Sequence, residues 1–298
     1  MRKTLSVGLV LIFAVSAVAQ EKETTKVTTK ETTLPSGVDL LGPPLWSMQD
    51  AVPVPQGGLD LRLGFKWVTG SGPYNGGDSD DDFVIIPHLV WGFAQNWELA
   101  ISNSAWVGDG GDVGPLQDGN YDSNLAILWR LADQNGWVPA IALQGAARIP
   151  TGDGSSGIDG ELRLILTSDH DNGIRSHINA FAKTVNGNND GSTRYVVDNI
   201  FDVYTDGDFP DNRHFQWGFV LGLDGPLCAD GAVRWVADYV HRSSYHYGNA
   251  NVNLLELGFE WKIADAHSLG MAALVGLDDN GDTPNAGAGL TYSYAIAR

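Results

Sequence analysis

The 298-residue chain has one cysteine, half as many basic as acidic side chains, and no long apolar run beyond residue 19. Each shortage excludes something. A lone Cys228 forbids an intramolecular disulfide, and with no Cys/His cluster elsewhere no zinc-type site is legible. Lys and Arg total 18 against 36 Asp and Glu, a formal net charge of -18. Such a surface repels phosphate, so no nucleic-acid partner is expected. A membrane-spanning helix needs about 20 consecutive apolar residues, and none follows the N-terminal stretch. The chain also lacks a G-x-S-x-G elbow, since Gly154-Ser155-Ser156-Gly157 is a turn sequence. No glycine-rich phosphate loop opens a helix, so neither an enzyme nor a cofactor is expected.

What is present is alternation. In Leu59-Asp60-Leu61-Arg62-Leu63-Gly64-Phe65-Lys66-Trp67 every odd residue is large and apolar, and every even one is charged or glycine. A period of two is a β-strand with one greasy face. Twelve such runs follow one another, at about 59–68, 82–92, 96–107, 121–132, 137–149, 158–168, 174–184, 213–223, 231–242, 251–263, 266–277 and 286–296. Short turns such as Ala94-Gln95-Asn96, and Asp224 to Asp230, alternate with long acidic loops, the longest being 187–212. Even strand number and alternating connection length characterise bacterial outer-membrane barrels. The expected fold is therefore all-β: an antiparallel up-and-down transmembrane β-barrel of about 12 strands.

Three segments are expected. Residues 1–19, with Arg2-Lys3, an apolar core and Ala17-Val18-Ala19, read as a secretory signal peptide. Residues 20–57 combine a Thr- and charge-rich leader, too polar to order itself, with a Pro-rich stretch. That stretch either lies along the periplasmic mouth or enters the lumen as a plug. Residues 58–298 form the barrel, placed in the outer membrane of a Gram-negative-type bacterium after cleavage. Its partners are outer-membrane lipid and a small-molecule solute. Trp91, Trp97, Trp129, Trp137 and Trp261 fall near short-turn ends and Trp67 and Trp106 near long-loop ends, as interfacial indoles do.

If the apolar positions face lipid, their neighbours face inward. A charge on the lipid face would cost about 2–4 kcal/mol near the midplane. The N-terminal half then supplies Arg62, Lys66, Glu98, Arg130, Arg148, Glu161 and Arg163 to the lumen. The C-terminal half supplies Arg175, Arg234, Asp238, Glu256, Glu260 and Lys262. With Asp60, His88, Lys183 and Arg242 included, ten are basic and six acidic. They either pair into salt bridges that fill the interior or line a water-filled path. Twelve strands spaced about 4.8 Å leave a bore of roughly 10 Å. Loop 187–212 is the expected constriction, with Tyr195, Phe201 and Tyr204 to pack there. The acidic runs Asp78 to Asp82 and Asp278-Asp279-Asn280-Gly281-Asp282 lack the spacing of a calcium loop and read as solvated.

The stretch Ala140-Ile141-Ala142-Leu143-Gln144-Gly145-Ala146-Ala147-Arg148-Ile149-Pro150-Thr151-Gly152-Asp153 and the lead Val54-Pro55-Gln56-Gly57 resemble a family of outer-membrane transporters. That family is associated with the meta-cleavage pathway of phenol degradation. The resemblance implies a barrel that moves small solutes, aromatic or hydrophobic ones among them, and supplies no catalytic residues. One departure is the C-terminus, Tyr292-Ser293-Tyr294-Ala295-Ile296-Ala297-Arg298, which lacks a terminal aromatic. The functional expectation is passive passage through a charged lumen. The alternative is a structural or surface-adhesive barrel with a blocked interior. A third is an outer-membrane lipid hydrolase using a Ser/His pair from His241, Ser243, Ser244 and His246.

Overall fold

Alternation decides the architecture residue by residue. The computed structural model describes residues 45–69, 81–103, 105–109, 122–151, 157–184, 194–196, 203–205, 214–228, 230–244, 250–278 and 283–296. On β1 (Leu59–Thr69) Leu61, Leu63 and Phe65 are exposed on the outer face, while Asp60, Arg62 and Lys66 are buried on the inner one. β2 (Asp81–Ala94), β3 (Trp97–Asn103), β4 (Ala105–Asp109), β5 (Ser123–Ala132), β6 (Ala140–Ile149), β7 (Asp159–Asp169) and β8 (Arg175–Thr184) continue the wall. After the short strands β9 (Arg194–Val196) and β10 (Val203–Thr205), it resumes with β11 (Phe215–Pro226), β12 (Val233–Arg242), β13 (Val252–Ala264), β14 (His267–Gly276) and β15 (Ala286–Ile296).

Every neighbour pair is antiparallel, and β1 pairs with both β2 and β15, which closes the sheet. β3 and β4 both pair with β2 and count as one stave, so the closed barrel has twelve. No helix occurs among the described residues. Among the described residues β9 and β10 pair only with each other, Tyr195 opposite Tyr204, a ribbon inside the longest loop that the alternation did not announce.

Turn chemistry fixes the register at the short-turn end. Asn96 takes a positive φ of 66° in the two-residue connection between β2 and β3, a conformation Asn tolerates better than most residues. Its side-chain oxygen accepts hydrogen bonds from Arg130 Nη2 at 2.6 Å and Nε at 3.1 Å. One expectation needs correction. The stretch from Asp224 onward is not turn: β11 runs through Pro226, and Asp224 is fully buried on the inner face. The connection begins at Leu227, where Cys228 Sγ donates to Asp230 Oδ1 at 2.8 Å.

The aromatic belts form rows. Trp97 and Trp129 stack at 5.0 Å and 6°, and Trp91, Phe93 and Trp97 are in successive contact. Both lie at the short-turn end, as do His267, Tyr292 and Tyr294.

The buried apolar core lies inside the barrel, and residues 45–54 are at its centre. Leu45, Trp46 and Met48 pack with Val84, Ile86, Val220, Val236, Val240, Val252, Leu254, Ala272 and Leu274. Ala51 packs with Leu128, Ala140, Ala142 and Ile165, and Val54 with Val90, Ala100 and Ala126. Inward-facing valines and leucines would meet water in an empty barrel. The segment covers them.

Candidate functional site

The segment enters the lumen from the start of β1, so its root is at the short-turn end. Gly57 N donates to Gly92 O at 2.7 Å and Gly92 N to Gly58 O at 3.0 Å, extending the β1–β2 ladder by one step. Gly92 has to be glycine there: a Cβ would stand 2.2 Å from Pro55 O and 2.3 Å from Val54 O. Two further inward glycines take up the segment's side chains. A Cβ on Gly222 would stand 2.0 Å from Met48 Sδ, and one on Gly258 would stand 2.7 Å from the Trp46 ring.

From the root the chain crosses the lumen, and the wall holds its main chain. Val54 N donates to Glu98 at 2.8 Å, Ala51 N to Thr167 Oγ1 at 3.0 Å and Gln49 N to Asn179 Oδ1 at 2.6 Å. Met48 N donates to Asp238 at 3.0 Å and Ser47 N to Glu256 at 2.9 Å. In the other direction Arg163 Nη1 donates to Ser47 O at 2.9 Å and Asn179 Nδ2 to Gln49 O at 3.1 Å. Three side chains add to this: Trp46 Nε1 donates to Glu260 at 2.9 Å, Ser47 Oγ to Glu256 at 2.6 Å, and Asp50 meets Arg175 at 2.6 Å. Hydrogen bonds to charged groups contribute about 1.5–3 kcal/mol each, so the seat is strong in aggregate.

Beneath Asp50 lies a hub. Asp224 accepts from Arg175 at 3.1 Å, from Arg234 Nε at 2.7 Å and also from Arg234 Nη2. His177 Nε2 lies 2.7 Å from the same carboxylate, and its Nδ1 is 3.1 Å from Thr167 Oγ1. A second network stands at the long-loop end, where buried Arg148 bonds Asp159 at 2.8 Å and also Asp122, whose other oxygen accepts from Thr151 N at 3.0 Å.

The inward-predicted residues thus separate into three groups. Glu98, Arg163, Arg175, Asp238, Glu256 and Glu260 touch the segment. Arg62 pairs with Asp60 at 3.5 Å, Glu161 with Arg163 at 2.8 Å, Arg148 within its network and Arg234 with the hub, while Lys66 is buried on the inner face. Arg130 and Lys262 sit at the short-turn rim, half-exposed, bridging to Asp133 at 3.0 Å and Asp265 at 3.5 Å. Tyr195 and Tyr204 are in the β9–β10 ribbon, and Phe201 lies outside the described residues, as does His246. Ser243 and His241 have other partners, the Trp217 main chain and Asn253 respectively.

Asn179, Thr167, His177 and Asp224 were missed. The first three share the inward parity of Arg175, Lys183, Glu161 and Arg163 on their strands, and that parity was the available signal. Asp122, Asp159 and Asp224 add three acidic groups to the wall and Asp50 a fourth from the segment, which brings the six and ten of the sequence level.

No protein-family model and no curated protein matches the chain. Among solved structures it is similar to an outer membrane channel from Pseudomonas putida F1, with a TM-score of 0.56 and 12% identity over 83% of this chain and 97% of that one. It is also similar to the NanC porin, with a TM-score of 0.50 and 8% identity over 80% of this chain and 99% of that one. At these identities the likeness is one of fold, a closed antiparallel β-barrel.

Proposed function

We propose that the chain is an outer-membrane channel for small solutes whose bore is closed at rest by residues 45–54. The observation that carries the reading is the inversion of the barrel's two faces. Leu61, Phe65, Leu125, Ile127, Leu221, Leu223 and Leu257 are exposed on the outside, while Arg148, Arg163, Lys183, Asp224, Asp238 and Glu256 are buried inside. An apolar belt of that extent is stable against lipid and not against water. The inner wall would line the solute's path once the segment withdraws. That wall is amphipathic, with valines and leucines on β11 to β14 and ion pairs on β6 and β7. This suits solutes with an apolar body and a polar group, aromatic compounds among them.

A second reading is a structural or adhesive barrel that never opens, favoured by the number of bonds on the segment. Single-channel recording separates the two. A chain lacking residues 45–54, its folding checked by heat-modifiable migration, is expected to give discrete current steps larger or more frequent than the complete chain. Confirmed insertion with no current from either chain would refute the channel.

A further inference from the structure

We infer that the wall groups holding residues 47–54 form a binding site for the backbone of an oligopeptide, and that short linear peptides, which join apolar side chains to a polar main chain, are a solute class this lumen recognises. The inference rests on the channel reading for its transport half; the binding half stands separately. The observation behind it is what the wall contacts. Five main-chain N–H groups, of Ser47, Met48, Gln49, Ala51 and Val54, are each held by a wall side chain. Two main-chain carbonyls, of Ser47 and Gln49, accept from Arg163 and Asn179.

Asn179 is the most telling. Its carboxamide gives Gln49 both an acceptor and a donor, the same pair of bonds a neighbouring β-strand would give that residue. A side chain that imitates a strand recognises a peptide unit of any sequence. The Gln49 side chain is the converse: it is buried, yet neither its oxygen nor its nitrogen has a partner. The wall bonds the main chain at this position and offers the side chain no hydrogen bond.

Ser47, Met48 and Gln49 are consecutive, and their N–H groups go to three different strands, β13, β12 and β8. Acceptors are thus set one per residue along three successive amides. A sugar or an inorganic ion has no such repeat. Two side-chain preferences are also built in. Gly222 leaves space for an apolar side chain at the Met48 position, and Arg175 meets an acidic one at the Asp50 position. Where the segment enters the carboxylate group of Asp238, Glu256 and Glu260, a free peptide would place its terminal ammonium. Residues 45–54 are, in these terms, a tethered occupant of a general peptide seat.

The test uses the chain lacking residues 45–54, with the complete Gly92→Ala chain as a second host should the deletion not fold. Four probes are compared: a synthetic decapeptide of sequence 45–54, a scrambled decapeptide of the same composition, the first peptide N-methylated at its Met48 and Gln49 amides, and a malto-oligosaccharide of similar length. Block of single-channel current and anisotropy of labelled probe in detergent are both read. Both unmodified peptides are expected to bind at least tenfold more tightly than the N-methylated one, and the oligosaccharide not at all. Three results would each overturn the inference: no peptide binding, equal binding of the N-methylated peptide, or binding of the native sequence alone. A host that carries no current but binds both peptides would uphold the seat and sink the channel; one that conducts without binding would do the reverse.

Discussion

Replacing Gly92 by alanine adds one methyl group at the point where the segment leaves the wall. That methyl would stand 2.2 Å from Pro55 O and 2.3 Å from Val54 O, and ordinary contact begins at 3.4 Å, so the segment's root has to retreat by about 1.2 Å. The three atoms nearest the added Cβ belong to Val54 and Pro55, so the strain falls on the root. The 2.8 Å bond from Val54 N to Glu98 does not survive such a retreat, and Val54 loses its packing against Val90, Ala100 and Ala126. A hydrogen bond to a charged group is worth about 1.5–3 kcal/mol. Losing about 2 kcal/mol shifts the seated-to-withdrawn ratio by about thirtyfold, at about tenfold per 1.4 kcal/mol. The assay is open probability in a planar bilayer, with Gly145→Ala as control, because a Cβ on Gly145 meets nothing within 4 Å. The expected result is an open fraction up by about thirtyfold for Gly92→Ala and unchanged for Gly145→Ala. An unchanged open fraction for Gly92→Ala, in a folded barrel, would refute the claim that this root holds the channel shut.

Asn179→Ala removes both bonds to Gln49 and is expected to raise the open fraction about tenfold, and proteolysis within 45–54 should rise in parallel. Arg148→Met leaves Asp122 and Asp159 buried without their cation, which costs about 3–5 kcal/mol; a lower denaturation midpoint in urea is the readout, and a loss under 1 kcal/mol would contradict it. Arg234→Gln is expected to leave the reversal potential in a salt gradient nearly unchanged, because Asp224 keeps Arg175; a large shift toward cations would mean that Arg234 faces the ion path. Trp129→Ala removes the stack on Trp97 and should cost about 0.5–1.5 kcal/mol beyond its buried area, seen as a lower temperature of heat-modified migration.

The wall was legible because alternation is local information. All twelve predicted runs correspond to staves, including Leu59–Thr69 and Ala286–Ile296 at the closing seam. Legibility fails where the determinant lies far along the chain. Leu45 to Val54 has neither period two nor period 3.6, and its partners Glu256 and Glu260 are 209 and 214 residues away. Nothing within the segment says that carboxylates await its amides. Apolar residues on both faces were a second blind spot. Val84, Ile86 and Val90 face inward on a strand that carries Phe83, Trp91 and Phe93 outward, so β2 reads as a nearly continuous apolar run. Asp224 was hidden differently, because Asp-Gly-Pro is turn chemistry and its burial depends on Arg175 and Arg234 from neighbouring strands.

The attachment of the segment to β1 through Pro55, Gln56, Gly57 and Gly58 has a stoichiometric consequence. One tethered competitor is present for every barrel, whatever the protein's abundance. Tethers this short present their ligand at an effective concentration on the order of millimolar or above. A free molecule that binds the same groups equally well therefore occupies half the barrels only when its own concentration reaches that value. If the chain is the channel proposed above, the barrel admits what is abundant or what binds better than its own chain, and the threshold is set by four residues of linker, not by the width of the bore.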